Sequence, residues 1–295
     1  MTGLDYLVVL CYFAILAGIG IVSMRKIKAQ EDFFLGGRAF GKVLQTFAAF
    51  GAGTGSSDPV NTARTTFTSG MSGMWSVMSW LFVTPFYWIT GVWYRRMRHL
   101  TLGDWFVERY ESRALGAAYA VFGLLFYMVY TAMLFTAIGK FAAPLMGDVV
   151  SLPGGRVIAL EYVLIPAVAI MVMVYGVLGG LTAAYWTDTI QGMCIILLSV
   201  LLIPFGLMAL SDRFGAVYPG LSGFQIMHRE LPEHLFAVVG AGSGEFPLHR
   251  ILSVIVILLV GVVVMPHFIA TGGGSAKSEL NARVGLVLGN LLKRF

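Results

Sequence analysis

Residues 47–74 read FAAFGAGTGSSDPVNTARTTFTSGMSGM and lie between apolar segments. Ser56, Ser57, Asp58, Pro59, Asn61 and Arg64 gather here behind Gly51, Gly53 and Gly55. Carbonyls and hydroxyls released from a broken helix can hold a cation, and the N-terminus of a half-helix can hold an anionic group. A carboxylate inside a bilayer costs roughly 2.5–3.5 kcal/mol on insertion scales, which makes Asp58 a functional candidate. Glycine and proline destabilise helix, and Pro59 biases Asp58 away from helical dihedrals. The pattern predicts a helix broken near mid-membrane, a conformation that survives only where it is buried in protein or lines a wet cavity. The plainer reading is a Gly-rich packing helix with Asp58 paired to Arg64, and Arg64 is alternatively a receptor for an anionic solute.

A second constellation, Tyr175 to Gly192, reads YGVLGGLTAAYWTDTIQG. Gly179 and Gly180 predict a tight cytoplasmic hairpin, with Asp188 and Gln191 one turn into the next helix and on one face. Asp188 is then either a helix cap favoured by the dipole or a carboxylate at the inner mouth of a cation path. Ser76 and Ser79 suit helix–helix contacts or a solute, and Trp80 is a candidate to face a cavity. His267, beside Pro266, reads as a hydrogen bonder at a helix end. There is no histidine or cysteine cluster suited to a transition metal, and no paired nucleophile and base, so no enzyme chemistry is expected.

Elements long enough to position these groups follow from composition. The 295 residues are 58% hydrophobic and 12% charged, about half the charge of a soluble domain. That predicts an all-α polytopic membrane protein with the lipid bilayer as its partner. The net charge of +5 then reflects basic cytoplasmic loops rather than nucleic-acid binding. Spans are expected at about 4–24, 43–71, 75–94, 114–146, 158–178, 184–210 and 251–270, with an incomplete eighth at 284–295, all in one transmembrane domain. Leu102 to Tyr110 reads as a short surface piece, and one more surface helix is expected between Ser211 and Arg250. Arg25, Lys26 and Lys28 follow the first span instead of preceding it, which argues against a cleaved signal peptide. With the N-terminus outside, twelve basic residues fall on inner loops, against Lys140, Arg156, Arg213, Arg229 and Arg250 on the outer side. The asymmetry fits the positive-inside rule. Cys11 and Cys194 both lie in apolar spans, which excludes a disulfide framework.

Asp32-Phe33-Phe34-Leu35-Gly36-Gly37-Arg38, Ser57-Asp58 after its glycines, the GGLTAAYWTDTIQ stretch, and Pro266-His267 with Ala276-Lys277-Ser278-Glu279 occur in that order. Together they resemble the sodium/solute symporter family, which includes sodium/glucose and sodium/proline cotransporters. The resemblance implies a leucine-transporter-type inverted-repeat bundle preceded by an extra helix. This chain would hold the first five-helix repeat and the start of the second, as a C-terminally truncated fragment. It implies that Asp58 assists sodium binding, with carbonyls near Ser56 and Pro59 as direct ligands. It also implies that Asp188 lies on the sodium exit path and that a later helix completes the site. Pro59 departs from the family's pattern. Ser57, Asn61, Arg64, Ser76, Ser79 and Trp80 are the expected solute contacts. The expected function is sodium-coupled symport of a small organic solute across the plasma (inner) membrane, with the sodium ion co-transported. The alternative is a symporter-like sensor domain of a signalling protein. The solute, the sodium stoichiometry and the oligomeric state stay open.

Overall fold

The computed structural model describes residues 3–147, 149–151 and 157–294. Arg156, counted above on the outer side, and Phe295, where the last apolar run ends, lie outside the described residues. The chain is almost wholly helical: α1 (Gly3–Met24), α2 (Gln30–Leu35), α3 (Lys42–Ala52), α4 (Ser57–Ser69), α5 (Trp75–Met78), α6 (Tyr87–Met97), α7 (Leu102–Tyr110), α8 (Arg113–Met146), α9 (Glu161–Phe214), α10 (Gly223–Glu230), α11 (Leu248–Val264) and α12 (Glu279–Leu292). The described residues also include a two-stranded antiparallel ribbon, β1 (Val149–Ser151) with β2 (Val157–Ala159). Segments of α1, α8 and α9 are long and apolar enough to cross a membrane. Their outer faces keep large side chains such as Val129 and Leu202 exposed. In water such surface would be a liability, whereas in lipid it is the expected solvent face.

The stretch around the acid is two helices. α3 ends at Ala52 and α4 starts at Ser57, with Gly53 to Ser56 non-helical between them. Pro59 is the third residue of α4, in the first turn, where its missing N–H costs no helical bond. Asp58 is therefore helical, contrary to the expectation from the following proline.

Two other stretches depart from the simple span pattern. Residues 70–86 form a chain of short 3-10 turns around the single-turn α5, and a regular helix resumes only at Tyr87. Thr84-Pro85 sits inside this run, and Pro85 cannot donate into an α-helical ladder. The second departure is Gly180, with φ 53° and ψ −152°, which bends α9 in its interior. A side chain there would be strained, and a Cβ would meet the Phe33 carbonyl oxygen at 2.6 Å. Gly180→Ala is expected to cost about 2 kcal/mol, from a backbone region that essentially only glycine occupies. Thermal melting of the detergent-solubilised protein checks this. A melting temperature equal to the parent's would show that the bend relaxes freely.

Packing joins segments that are distant in the sequence. α1 lies along α9, and α3 is held between α9 and α12. The backbone at Phe40 pairs with residues 275–277: Lys277 N–H donates to the Phe40 carbonyl at 2.9 Å, and Phe40 N–H donates to Ser275. Buried Arg38, also ion-paired to Glu31, donates to the Gly274 carbonyl at 3.1 Å. The Asp32–Arg38 and Pro266–Glu279 segments are thus adjacent in space. Tyr185 adds the third sequence landmark. Its hydroxyl lies 3.0 Å from the Ser275 hydroxyl, and the two protons of this pair are shared among each other, the Ala270 carbonyl and the Gln45 side chain of α3. Gln45 in turn donates to the Thr271 carbonyl at 3.1 Å. A buried hydrogen-bond network of this kind helps to fix the relative positions of the helices that carry it.

Candidate functional site

The break between α3 and α4 opens on a cavity of about 300 Å³. Ala49, Ala52, Gly53 and Asp58 form one wall. Trp80 and Tyr87 come from the 3-10 region and α6, Phe126 and Tyr130 from α8. Met265, His267, Phe268 and Thr271 come from the turn after α11. Leu286 and Asn290 of α12, with Lys293 and Arg294 just past its end, close the last side. The walls are mostly apolar and aromatic, with a few convergent polar groups, the usual character of a small-molecule site.

The charges are specifically arranged. Asp58 lies in the first turn of α4, where the helix dipole favours an anion. Its carboxylate accepts from Gly55 N–H at 3.3 Å and pairs with the Lys293 ammonium at 2.8 Å. Lys293 is 10% exposed and Asp58 35%. Arg294 is 7% exposed. Its Nε and Nη1 have no hydrogen-bond partner among the described residues. Asn290 donates its amide to the Leu286 carbonyl at 2.9 Å.

Of the ten candidate residues from the sequence, only Asp58 and Trp80 line the cavity. Ser56 donates to the Leu134 carbonyl at 2.8 Å and so faces α8. Ser57 opens α4 half-buried, and Pro59 is exposed. Ser76 bonds Thr65 at 3.2 Å, and buried Ser79 donates back to the Trp75 carbonyl at 2.7 Å. Both serines are contacts within the bundle. Asn61 is exposed and accepts from Arg64.

Arg64 does not pair with Asp58. It is bound to Glu245 at 2.8 Å in the long loop before α11, and it holds the Glu245 carboxyl below the ordinary carboxylate range. Six residues of helix separate Asp58 from Arg64 by about 9 Å along the axis and turn them onto different faces. Asp188 sits eight residues past the bend at Gly180, beyond the first turn, so it is not a cap. Its carboxyl packs on Gly51, where a Cβ would lie 2.6 Å from Asp188 Cγ. It therefore touches α3 one residue before that helix ends, on the side away from the cavity lining. Gln191 donates to the Tyr12 hydroxyl at 2.6 Å, tying α9 to α1.

His267 was expected to hydrogen-bond at a helix end. Its carbonyl does accept from Ala270 and Thr271, but its ring lies on the cavity wall, 4.3 Å from the Phe268 ring centroid. The most consequential residues not anticipated are Lys293 and Arg294. The available signal was their position, two cations directly after the apolar stretch Val284 to Leu292.

The sodium:solute symporter family matches residues 33–271, well over half of the chain. The chain belongs to this family. No curated protein sequence matches it. Among solved structures it is similar to a Na+-coupled sialic acid symporter in a substrate-bound outward-open state, with a TM-score of 0.75 at 13% identity. That likeness covers 99% of this chain and 57% of the symporter's. The fold of this family member is accordingly the leucine-transporter-type helical bundle, as the resemblance implied. The chain spans a little over half the length of the solved symporter.

Proposed function

We propose that this chain forms the solute-cavity portion of a sodium-coupled symporter that works by alternating access in the plasma membrane, with its N-terminus outside. The observation that carries the reading is the interruption of α3–α4 at Gly53 to Ser56, opening directly onto the cavity beside Asp58. A helix broken there leaves carbonyl oxygens outside any ladder, and oxygen is the donor that a hard alkali cation requires. Sodium is a transported substrate in this reading. Carbonyls at the break and a later helix supply its ligands, and Asp58 supplies negative potential. Asp188 keeps the exit-path role that the family resemblance implies, and its packing on α3 at Gly51, close to the break, supports that role. The solute fills the aromatic cavity, and the bundle then rocks to release both to the inner side.

The energetics suffice without chemistry. One positive charge crossing 100 mV yields about 2.3 kcal/mol. A tenfold sodium gradient adds about 1.4 kcal/mol. The sum, about 3.7 kcal/mol, holds an uncharged solute at several hundredfold accumulation.

The test uses the full-length protein reconstituted in proteoliposomes, with a panel of labelled small solutes and either sodium or potassium outside. Uptake of at least one solute is expected to require the inward sodium gradient and to collapse with a sodium ionophore. Uptake that runs equally well in potassium would refute the coupling.

A further inference from the structure

We propose that Met71, Met74 and Met78 form a binding site for one soft monovalent cation, Cu(I) or Ag(I), with the Trp75 ring beside it. The site is separate from the solute cavity and does not depend on the transport reading. The three methionines and Trp75 line a single groove of about 410 Å³, completed by neighbours such as Phe82 and Val238. Met71 and Met74 are exposed and Met78 is half-buried, so these thioethers are not part of the packed core.

The backbone brings the sulfurs to one face. Residues 70–74 are a 3-10 turn, and α5 follows directly as a single α-helical turn. Side chains three apart eclipse one another in 3-10 geometry, which sets Met74 over Met71. The α-helical turn then carries the same face four residues on to Met78. The interleaved serines use the other face. Buried Ser72 donates to the Ser69 carbonyl at 2.8 Å, Ser76 bonds Thr65 at 3.2 Å, and Ser79 is buried. Trp75 is held in place: its Nε1 donates to the Val238 carbonyl at 2.8 Å, and its ring stacks on Phe82 with centroids 6.0 Å apart.

The donor set decides the ion. A thioether is neutral, polarisable and soft, and it selects Cu(I) over cations that want imidazole, carboxylate or carbonyl ligands. Among the described residues no histidine, cysteine, aspartate or glutamate lines the groove. Magnesium, calcium and zinc therefore have no suitable ligand there. A single positive charge among neutral sulfurs is attracted further by the electron-rich face of an indole ring. Leucine, isoleucine or valine would cover a lipid-facing surface as well as methionine does, but none of them can ligate a metal. An ion bound to all three sulfurs ties residue 71 to residue 78 and so stiffens the irregular run that leads to Trp80 on the cavity wall.

The test titrates Ag(I), a redox-stable stand-in for Cu(I), into the purified full-length protein in chloride-free sodium nitrate. All thiols, Cys11 and Cys194 included, are alkylated beforehand, because thiolates also take soft metals. Saturable binding at micromolar concentration is expected, with a rise in melting temperature and quenching of tryptophan fluorescence. The triple variant Met71→Leu/Met74→Leu/Met78→Leu keeps the apolar volume nearly constant and is expected to bind at least about tenfold more weakly. Trp75→Phe is expected to weaken binding by about twofold to fivefold, since phenyl is the poorer cation–π partner. Zinc and magnesium in large excess are expected not to compete. The proposal is overturned if the alkylated parent binds no more Ag(I) than the triple variant, in which case the groove is a seat for lipid chains only, or if zinc displaces the silver. An X-ray absorption spectrum of the Cu(I)-loaded, alkylated parent decides the matter even if a variant fails to fold. Sulfur as the only donor to copper supports the site, and nitrogen or oxygen donors overturn it.

Discussion

Asp58→Asn is expected to lower the stability of the folded protein by about 3 kcal/mol and to abolish sodium-driven uptake. The substitution is nearly isosteric, and the amide oxygen can still accept from Gly55 N–H, so the turn into α4 keeps its local bond. What disappears is the charge 2.8 Å from Lys293. Two cations, Lys293 and Arg294, then share a buried wall with no anion between them. Removing one partner of a buried pair typically costs about 3–5 kcal/mol. The low end applies because Asp58 is about a third exposed and because Lys293 can release its proton. Sodium suffers too, since the negative potential at the break is replaced by a net positive one. The double variant Asp58→Asn/Lys293→Met is expected to recover most of the stability, because exchanging a whole buried pair for groups of similar volume is often close to neutral. It is not expected to recover sodium-driven uptake. Melting curves in detergent and proteoliposome uptake measure the two effects separately. If the single variant melts within about 0.5 kcal/mol of the parent, the range of an ordinary surface change, the pair contributes nothing. If the double variant is no more stable than the single one, repulsion among the cations is not the cause.

How much of this was legible in the sequence depends on which interactions are local. The interruption near Asp58 could be read because Gly51, Gly53 and Gly55 act through their own backbone preferences. Its position came out slightly differently, since Pro59 marks the start of α4 instead of unwinding Asp58. The 3-10 character of residues 70–86 was invisible, because Trp75 to Tyr94 has the composition of an ordinary span, and 3-10 geometry there follows from how the chain is packed. The partner of Asp58 was also out of reach. Lys293 is 235 positions away in sequence, and it reaches Asp58 only because α12 lies along α3. Arg64, the partner that the plainer reading offered, is near along the chain, but helix geometry turns the two residues onto different faces. The candidate serines show the same limit. A hydroxyl near a break has the right chemistry for a ligand, but Ser56, Ser76 and Ser79 spend it on bonds inside the bundle. Direction, not residue type, decides between the two fates.

Gly289→Ala is the second large effect, and it acts on the site without touching it. Gly285 and Gly289 are one small-xxx-small pair on the face of α12 that meets α3. In membranes, where apolar burial between helices gains little over lipid, such pairs allow the close approach on which packing depends. A Cβ at Gly289 would lie 2.4 Å from the Thr46 carbonyl oxygen, 2.8 Å from Ala49 Cβ and 2.9 Å from Phe50 N. Two of the three are backbone atoms of α3, which no rotamer change can move. At Gly285 the nearest atoms are the Gln45 Cγ and Cβ at 2.6 and 2.7 Å, and Gln45 is itself held to Thr271 and Ser275. The helices can accommodate a methyl at Gly289 only by separating, and one methyl forced into a packed interface costs about 1–3 kcal/mol. The backbone contacts place Gly289→Ala at about 3 kcal/mol, the top of that range. The separation also moves the end of α12, which carries Lys293 away from Asp58, so sodium-driven uptake is expected to fall by far more than the amount of folded protein does. A surface control, Leu288→Ala, replaces an exposed neighbour and is expected to leave both unchanged. The measurement compares uptake per folded molecule for Gly289→Ala, Leu288→Ala and the parent. Equal specific uptake in Gly289→Ala would mean that the α3–α12 contact does not set the position of the charged pair.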